Sequence, residues 1–178
     1  MPAEDTGKSD FQRNEMKTSH TSRSMLLVAL LLAFPFCISA EDSVGLTVVS
    51  RGDVEITTGG TVSPLGRGDF VFEGARIVVG ERSFAVLQFV DGAKLSLRPE
   101  SSIVVERYRF FGNGSDTATL KVLSGGLRIN PGAISSNNSA AYRIRTPSGS
   151  LMLSEAEGSL TVCGDEICDQ QGLVELPD

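Results

Sequence analysis

The sequence has no tryptophan and one histidine, His20. Imidazole chemistry is therefore missing from everything downstream of residue 20, which excludes Ser-His-Asp and Cys-His catalysis and the commonest transition-metal ligand there. There is no excess of positive charge. The formal net charge is −6 with both signs interleaved, which argues against a nucleic-acid groove built from clustered Lys and Arg. No apolar run is long enough to span a bilayer, which takes about 20 residues. The longest, Met25 to Phe34, stops at Pro35. Without tryptophan, the apolar content rests on short runs of valine, leucine and isoleucine. At 178 residues the chain has the length of one domain that can bury a core.

Met16 to Ala40 reads as a secretory signal. Lys17 and Arg23 form a basic start, Met25 to Phe34 is the apolar stretch, and Ile38-Ser39-Ala40 offers small residues for cleavage after Ala40. The alternative is an uncleaved anchor, which would be the only membrane contact. Met1 to Glu15 is polar and aperiodic, so it is either a disordered extension or lies upstream of a true start at Met16. Cleavage would leave two of the three cysteines, Cys163 and Cys168. In an oxidising compartment such a pair is expected to form a disulfide. Gly164-Asp165-Glu166 would turn between them. A loop this short stabilises by less than the ~3 kcal/mol of a 15-residue loop. A metal site would need a second cysteine pair or a histidine, so no metal or cofactor is expected.

After Ala40 no long helical period is present. Short apolar alternations are separated by Gly, Asp-Gly and Pro. Val44 to Val49 and Val54 to Thr57 flank Arg51-Gly52, and Phe70 to Phe72 and Arg76 to Val79 flank Glu73-Gly74. Ser83 to Phe89 and Lys94 to Leu97 flank Asp91-Gly92, which predicts a type I′ hairpin turn with positive φ at both central residues. Ile103 to Phe110 is the next strand, and Gly112 to Asp116 is expected to be a mobile loop. Thr117 to Leu123 and Leu127 to Asn130 flank Gly125-Gly126. Ile134 to Ala141 reads as loop. Tyr142 to Thr146, Leu151 to Ser154, Ser159 to Cys163 and a short edge strand at Leu173 to Leu176 complete the set. Such spacing means an all-β fold: one domain over 41–178, arranged as a solenoid-like roll or a twisted sandwich.

The ordered phrases Gly66-x-Gly68-Asp69, Glu73-Gly74, Asp91-Gly92, Leu97-x-Pro99-x-Ser101, Gly125-Gly126-Leu127-Arg128 and Thr146-Pro147 carry a resemblance. Between Gly52 and Pro147 the chain resembles the FecR domain, the periplasmic sensory module of bacterial iron-uptake regulators. The resemblance implies an exported sensory or binding module. Two departures qualify it. Relatives commonly continue from Thr-Pro into a strand ending in Arg-Gly-Thr, where this chain has Leu151-Met152-Leu153-Ser154-Glu155-Ala156. Relatives that regulate sigma factors also carry a cytoplasmic helical domain, and the 24 residues before Met25 are too few to build one. A direct anti-sigma role is therefore not expected.

Candidate sites are few. Glu155 and Glu157 alternate along a strand, and Asp165, Glu166 and Asp169 cluster near the cysteines. Neither set has a calcium-loop spacing, and charged edges and hairpin tips keep sheets soluble. Arg51-Gly52-Asp53 and Arg67-Gly68-Asp69 read as turns. In Arg107-Tyr108-Arg109-Phe110-Phe111 the strand period puts Arg107, Arg109 and Phe111 on one face and Tyr108 and Phe110 on the other. Either that is a core face backed by a wet one, or the arginines with Phe111 contact a partner. The resulting expectation is a non-catalytic, exported envelope module. It would bind or scaffold a protein or glycan, with Arg107, Arg109 and Phe111 as the possible contact. The alternative is a sensory component of an iron-uptake or sigma-factor system.

Overall fold

The computed structural model describes residues 42–153 and 157–176. The signal segment, its cleavage point at Ala40 and the Ser154-Glu155-Ala156 departure lie outside them. Among the described residues no helix is long and apolar enough to cross a membrane.

The fold is all-β. Among the described residues fourteen strands follow in order: β1 (Ser43–Arg51), β2 (Val54–Thr58), β3 (Thr61–Pro64), β4 (Phe70–Phe72), β5 (Arg76–Val79), β6 (Phe84–Phe89), β7 (Lys94–Leu97), β8 (Ser102–Arg109), β9 (Thr117–Asn130), β10 (Tyr142–Thr146), β11 (Gly149–Leu153), β12 (Gly158–Cys163), β13 (Glu166–Gln171) and β14 (Leu173–Glu175). They form one curled sheet whose two layers share β9. The first half of β9 pairs with β8 and β10, in the layer β3-β2-β5-β8-β9-β10-β11-β14. The second half pairs with β7 and β12, in the layer β4-β1-β6-β7-β9-β12-β13. Among the described residues every pairing is antiparallel except β9 with β10.

Alternation explains the layering. In β6, β7, β10 and β12 every second side chain is buried, as a sheet with one core face and one wet face requires. The buried residues of both layers form one apolar cluster that includes Leu87, Leu95, Ile103, Leu120 and Ile144. Phe89 of β6 and Tyr108 of β8 stack across it, ring centroids 4.2 Å apart.

Several expectations change. The strands flanking Gly52 do not pair with each other. β1 pairs with β4 and β6, whereas β2 pairs with β3 and β5. The strands flanking Gly74 are likewise in different layers, so these glycines, both at positive φ, turn the chain between layers. The β6–β7 turn is not type I′. Gly92 alone has positive φ, and the loop is the three residues Val90-Asp91-Gly92. The Gly92 N–H donates to Phe89 O (3.0 Å) and the Phe89 N–H to Ala93 O (2.9 Å). This is the arrangement of a turn followed by a left-handed glycine. Asp91 stays out of the left-handed region because its carboxylate is committed to the interior.

Thr117 to Asn130 is one strand rather than two, because Gly125 kinks it without reversing it. Residues 133–141 contain a short helix, α1 (Ala133–Asn137), and a 3-10 turn, Ser139–Ala141, anchored by the buried Ile134. Thr61–Pro64 is a strand with all four residues exposed, so it had no burial pattern to betray it. Cys163 and Cys168 are bonded, with Cα atoms 5.9 Å apart. Cys163 pairs with Glu166, which shortens the turn between them to Gly164-Asp165.

Candidate functional site

The outer face of β8, β9 and β10 is where the arginines of the sequence motif come to lie. A bulge sets this up. Between Val105 and Arg107 the register of β8 against β9 shifts by one residue, with Glu106 as the extra. Val105 is buried, so strict alternation would have turned Arg107 inward and Tyr108 outward. The bulge reverses the phase. Tyr108 enters the core and opposes Ala118, while Arg107 opposes Thr119 and Arg109 opposes Thr117 on the wet side.

Four further cations join them. Thr119 opposes Arg143 on β10, and Lys121 opposes Arg145. Val104 opposes both Lys121 and Arg76. Arg76, Arg107, Arg109, Lys121, Arg143 and Arg145 therefore share one face, six of the twelve Lys and Arg from residue 42 onward, in a chain of net negative charge. Compensation is partial. Arg109 lies 3.6 Å from Glu73, whose other oxygen accepts the Tyr108 N–H (3.0 Å). Arg145 donates to Glu106 (3.0 Å). Both pairs are part-exposed and contribute about 0–1 kcal/mol. Among the described residues, Arg76, Arg107, Lys121 and Arg143 have no ion-pair partner. Arg76, Lys121, Arg143 and Arg145 were missed in the sequence. The available signal was Tyr142-Arg143-Ile144-Arg145, which repeats the cation–apolar alternation of Arg107-Tyr108-Arg109.

Phe111 is 68% exposed but lies beyond the end of β8. It lines a shallow hollow with Val44, Val90 and Arg109, which Arg107 does not reach. Arg107 and Arg109 are thus brought together, and Phe111 joins only Arg109. The loop after Phe111 is tied by its own side chains: Asp116 accepts from the Phe111 and Asn113 N–H groups (2.7 and 3.1 Å), and Asn113 accepts from the Ser115 N–H (2.9 Å).

Of the carboxylate candidates, Glu155 lies outside the described residues. Glu157 forms a two-pronged pair with Arg128, which holds its carboxyl below the usual range. Asp165, Glu166 and Asp169 are exposed on the β12–β13 hairpin.

Behind the basic face lies a buried polar cluster. The Tyr108 hydroxyl donates to Asp91 Oδ1 at 2.6 Å, and Tyr142 packs edge-on against Tyr108. Burial pushes both phenols well above the ordinary tyrosine value; the neighbouring Tyr142 and the Asp91 charge raise Tyr108 further, and the Asp91 charge raises Tyr142. Unfolded tyrosines ionise near pH 10, whereas these stay protonated in the fold. Above that pH the unfolded chain holds fewer protons than the native one, so stability falls as pH rises, by about 1.4 kcal/mol per unit per phenol. Melting followed by circular dichroism should show the melting temperature dropping steeply above pH ~10, and Tyr142→Phe should make that drop shallower. A Tyr142→Phe curve parallel to wild type would contradict this.

One protein-family model, described as FecR protein, matches residues 75–167. No curated protein and no solved structure is significantly similar to the chain.

Proposed function

This chain belongs to the FecR family, whose model covers a little over half of it, and from that premise we propose that it is an exported envelope module that works by binding rather than by catalysis. The observation that carries this reading is the concentration of half the domain's cations on one sheet face, four of them with no ion-pair partner among the described residues. Export rests on the basic start, short apolar stretch and small residues at Ser39-Ala40. A binding role without catalysis rests on the lack of histidine after residue 20 and on a face better suited to anionic groups than to a reacting centre. The family also supports a second reading, a periplasmic sensory component of iron-uptake regulation. In that case the partner would be a receptor or a sigma regulator of the same envelope.

One experiment addresses both export and binding. Expressed with its own leader, the protein should be recovered from the periplasmic fraction and be retained on immobilised envelope extract. Arg107→Ala with Arg143→Ala should reduce retention several-fold at low salt and less at high salt, because screening weakens these contacts. Arg109→Ala should have a smaller effect, since Glu73 already engages that side chain. Unchanged retention in the folded double variant, or recovery only from the cytoplasm, would overturn the proposal.

A further inference from the structure

We infer that the β8–β9–β10 face docks an extended acidic segment of a protein partner, with carboxylates at alternate positions. This rests on the proposed reading of that face as a binding surface and names what it takes.

Spacing comes first. Arg143 and Arg145 stand two residues apart on one strand face, about 6.8 Å along the strand. Arg107 lies two strands away in the row of Arg143, and Lys121 lies beside Arg145. Alternate side chains of an extended peptide repeat at the same ~6.8 Å, so acidic residues at i and i+2 meet both rows. Guanidinium groups accept carboxylates in paired hydrogen bonds.

Shape and composition then separate the partner classes. The face is interleaved with half-buried Val104, Thr119 and Met152, the mixture of arginine and aliphatic surface on which protein partners pack. Its two tyrosines, Tyr108 and Tyr142, are turned into the core. No aromatic ring is presented on β8, β9 or β10 for a sugar to stack against. Glu55, Glu73 and Glu106 border or interrupt the cations. A flat anionic bilayer would press against them all, whereas a narrow strand along β10 lies two strands from β8 and meets only Glu106, which Arg145 already engages.

The test uses the whole chain with three probes of like charge: poly-L-glutamate, polygalacturonate, and vesicles containing phosphatidylglycerol. Poly-L-glutamate should bind with an affinity that falls as salt rises. Polygalacturonate, with the same carboxylates on a sugar backbone, and the vesicles should bind at least about tenfold more weakly. Arg143→Glu with Arg107→Glu should lose about tenfold or more for poly-L-glutamate. Glu106→Gln should gain affinity, because it frees Arg145 and removes a repelling charge. Melting curves establish that each variant is folded. Equal or tighter binding of polygalacturonate or vesicles would overturn the polypeptide assignment while leaving a binding face. Binding of no probe, or no response to either variant, would overturn the docking site itself. Retention of envelope components lost in Arg107→Ala with Arg143→Ala, but without poly-L-glutamate binding, would reject this inference and keep the broader proposal.

Discussion

Asp91→Ala should destabilise the domain by about 3–5 kcal/mol, a large part of the 5–15 kcal/mol that holds a typical domain folded. The side chain is only 7% exposed and joins three parts of the chain. Its Oδ1 accepts from the Tyr108 hydroxyl (2.6 Å) and the Ala93 N–H (3.0 Å), and its Oδ2 accepts from the Ile134 N–H (3.3 Å) at the start of α1. Its backbone carbonyl accepts from the Ala133 N–H (2.9 Å). Alanine keeps only the last of these. It leaves a buried phenol and two N–H groups without acceptors, each worth about 1–3 kcal/mol. Asp91→Asn retains one oxygen acceptor and should lose less than half as much. Thermal melting with urea titration checks both. The melting temperature should fall by about 10 °C or more for alanine. A fall within about 2 °C would mean that water replaces the carboxylate and that the cluster is not a structural joint.

Asp91 also marks the limit of what the sequence disclosed. Asp-Gly between two apolar alternations was legible as a turn, and the turn is there. Its aspartate was not legible as a core residue, because its partners Tyr108 and Ile134 lie 17 and 43 positions away. The same division runs through the fold. Strands such as Phe84–Phe89 and Tyr142–Thr146 carry their burial in their own alternation, so period alone locates them. Which strands pair is decided elsewhere. Gly52 and Gly74 look like hairpin glycines but hand the chain from one layer to the other, a choice made by long-range packing rather than by local turn chemistry. The candidate site was half readable. Arg107 and Arg109 were visible as one face of a strand, although the outward aim of Arg107 depends on a bulge at Glu106 that no local pattern announces. Arg143 and Arg145 joined them only through the parallel pairing of β10 with β9, which brings Arg143 beside Thr119 across 24 residues of chain.

The family phrases Leu97-x-Pro99-x-Ser101 and Gly125-Gly126 gain a physical meaning once they are seen in contact, and this gives the sharpest expected effect. The Ser101 hydroxyl donates to Gly126 O (2.7 Å) and accepts from the Gly126 N–H (3.0 Å), while the Arg98 N–H donates to the same carbonyl (2.9 Å). The Pro99-Glu100-Ser101 turn is thereby pressed onto the kink where β9 passes from one layer to the other. Gly125 sits there at φ +75°, and a Cβ on it would lie 2.5 Å from Ser101 Cα and 2.6 Å from Glu100 O. Both are backbone atoms, so no side chain can swing away. Gly125→Val should therefore combine left-handed strain of about 1–2 kcal/mol with overpacking of about 1–3 kcal/mol or more, enough for the variant to be largely unfolded or to melt far below wild type. Gly92→Val separates the two contributions. Gly92 is also left-handed, at φ +89°, but nothing lies within 4 Å of its added Cβ, so it should cost only the strain, about 1–2 kcal/mol. Chemical denaturation of the two variants side by side gives the ranking. Equal losses would show that the turn does not bear on the kink, and a Gly125→Val protein as stable as wild type would mean that β9 crosses between the layers by another path.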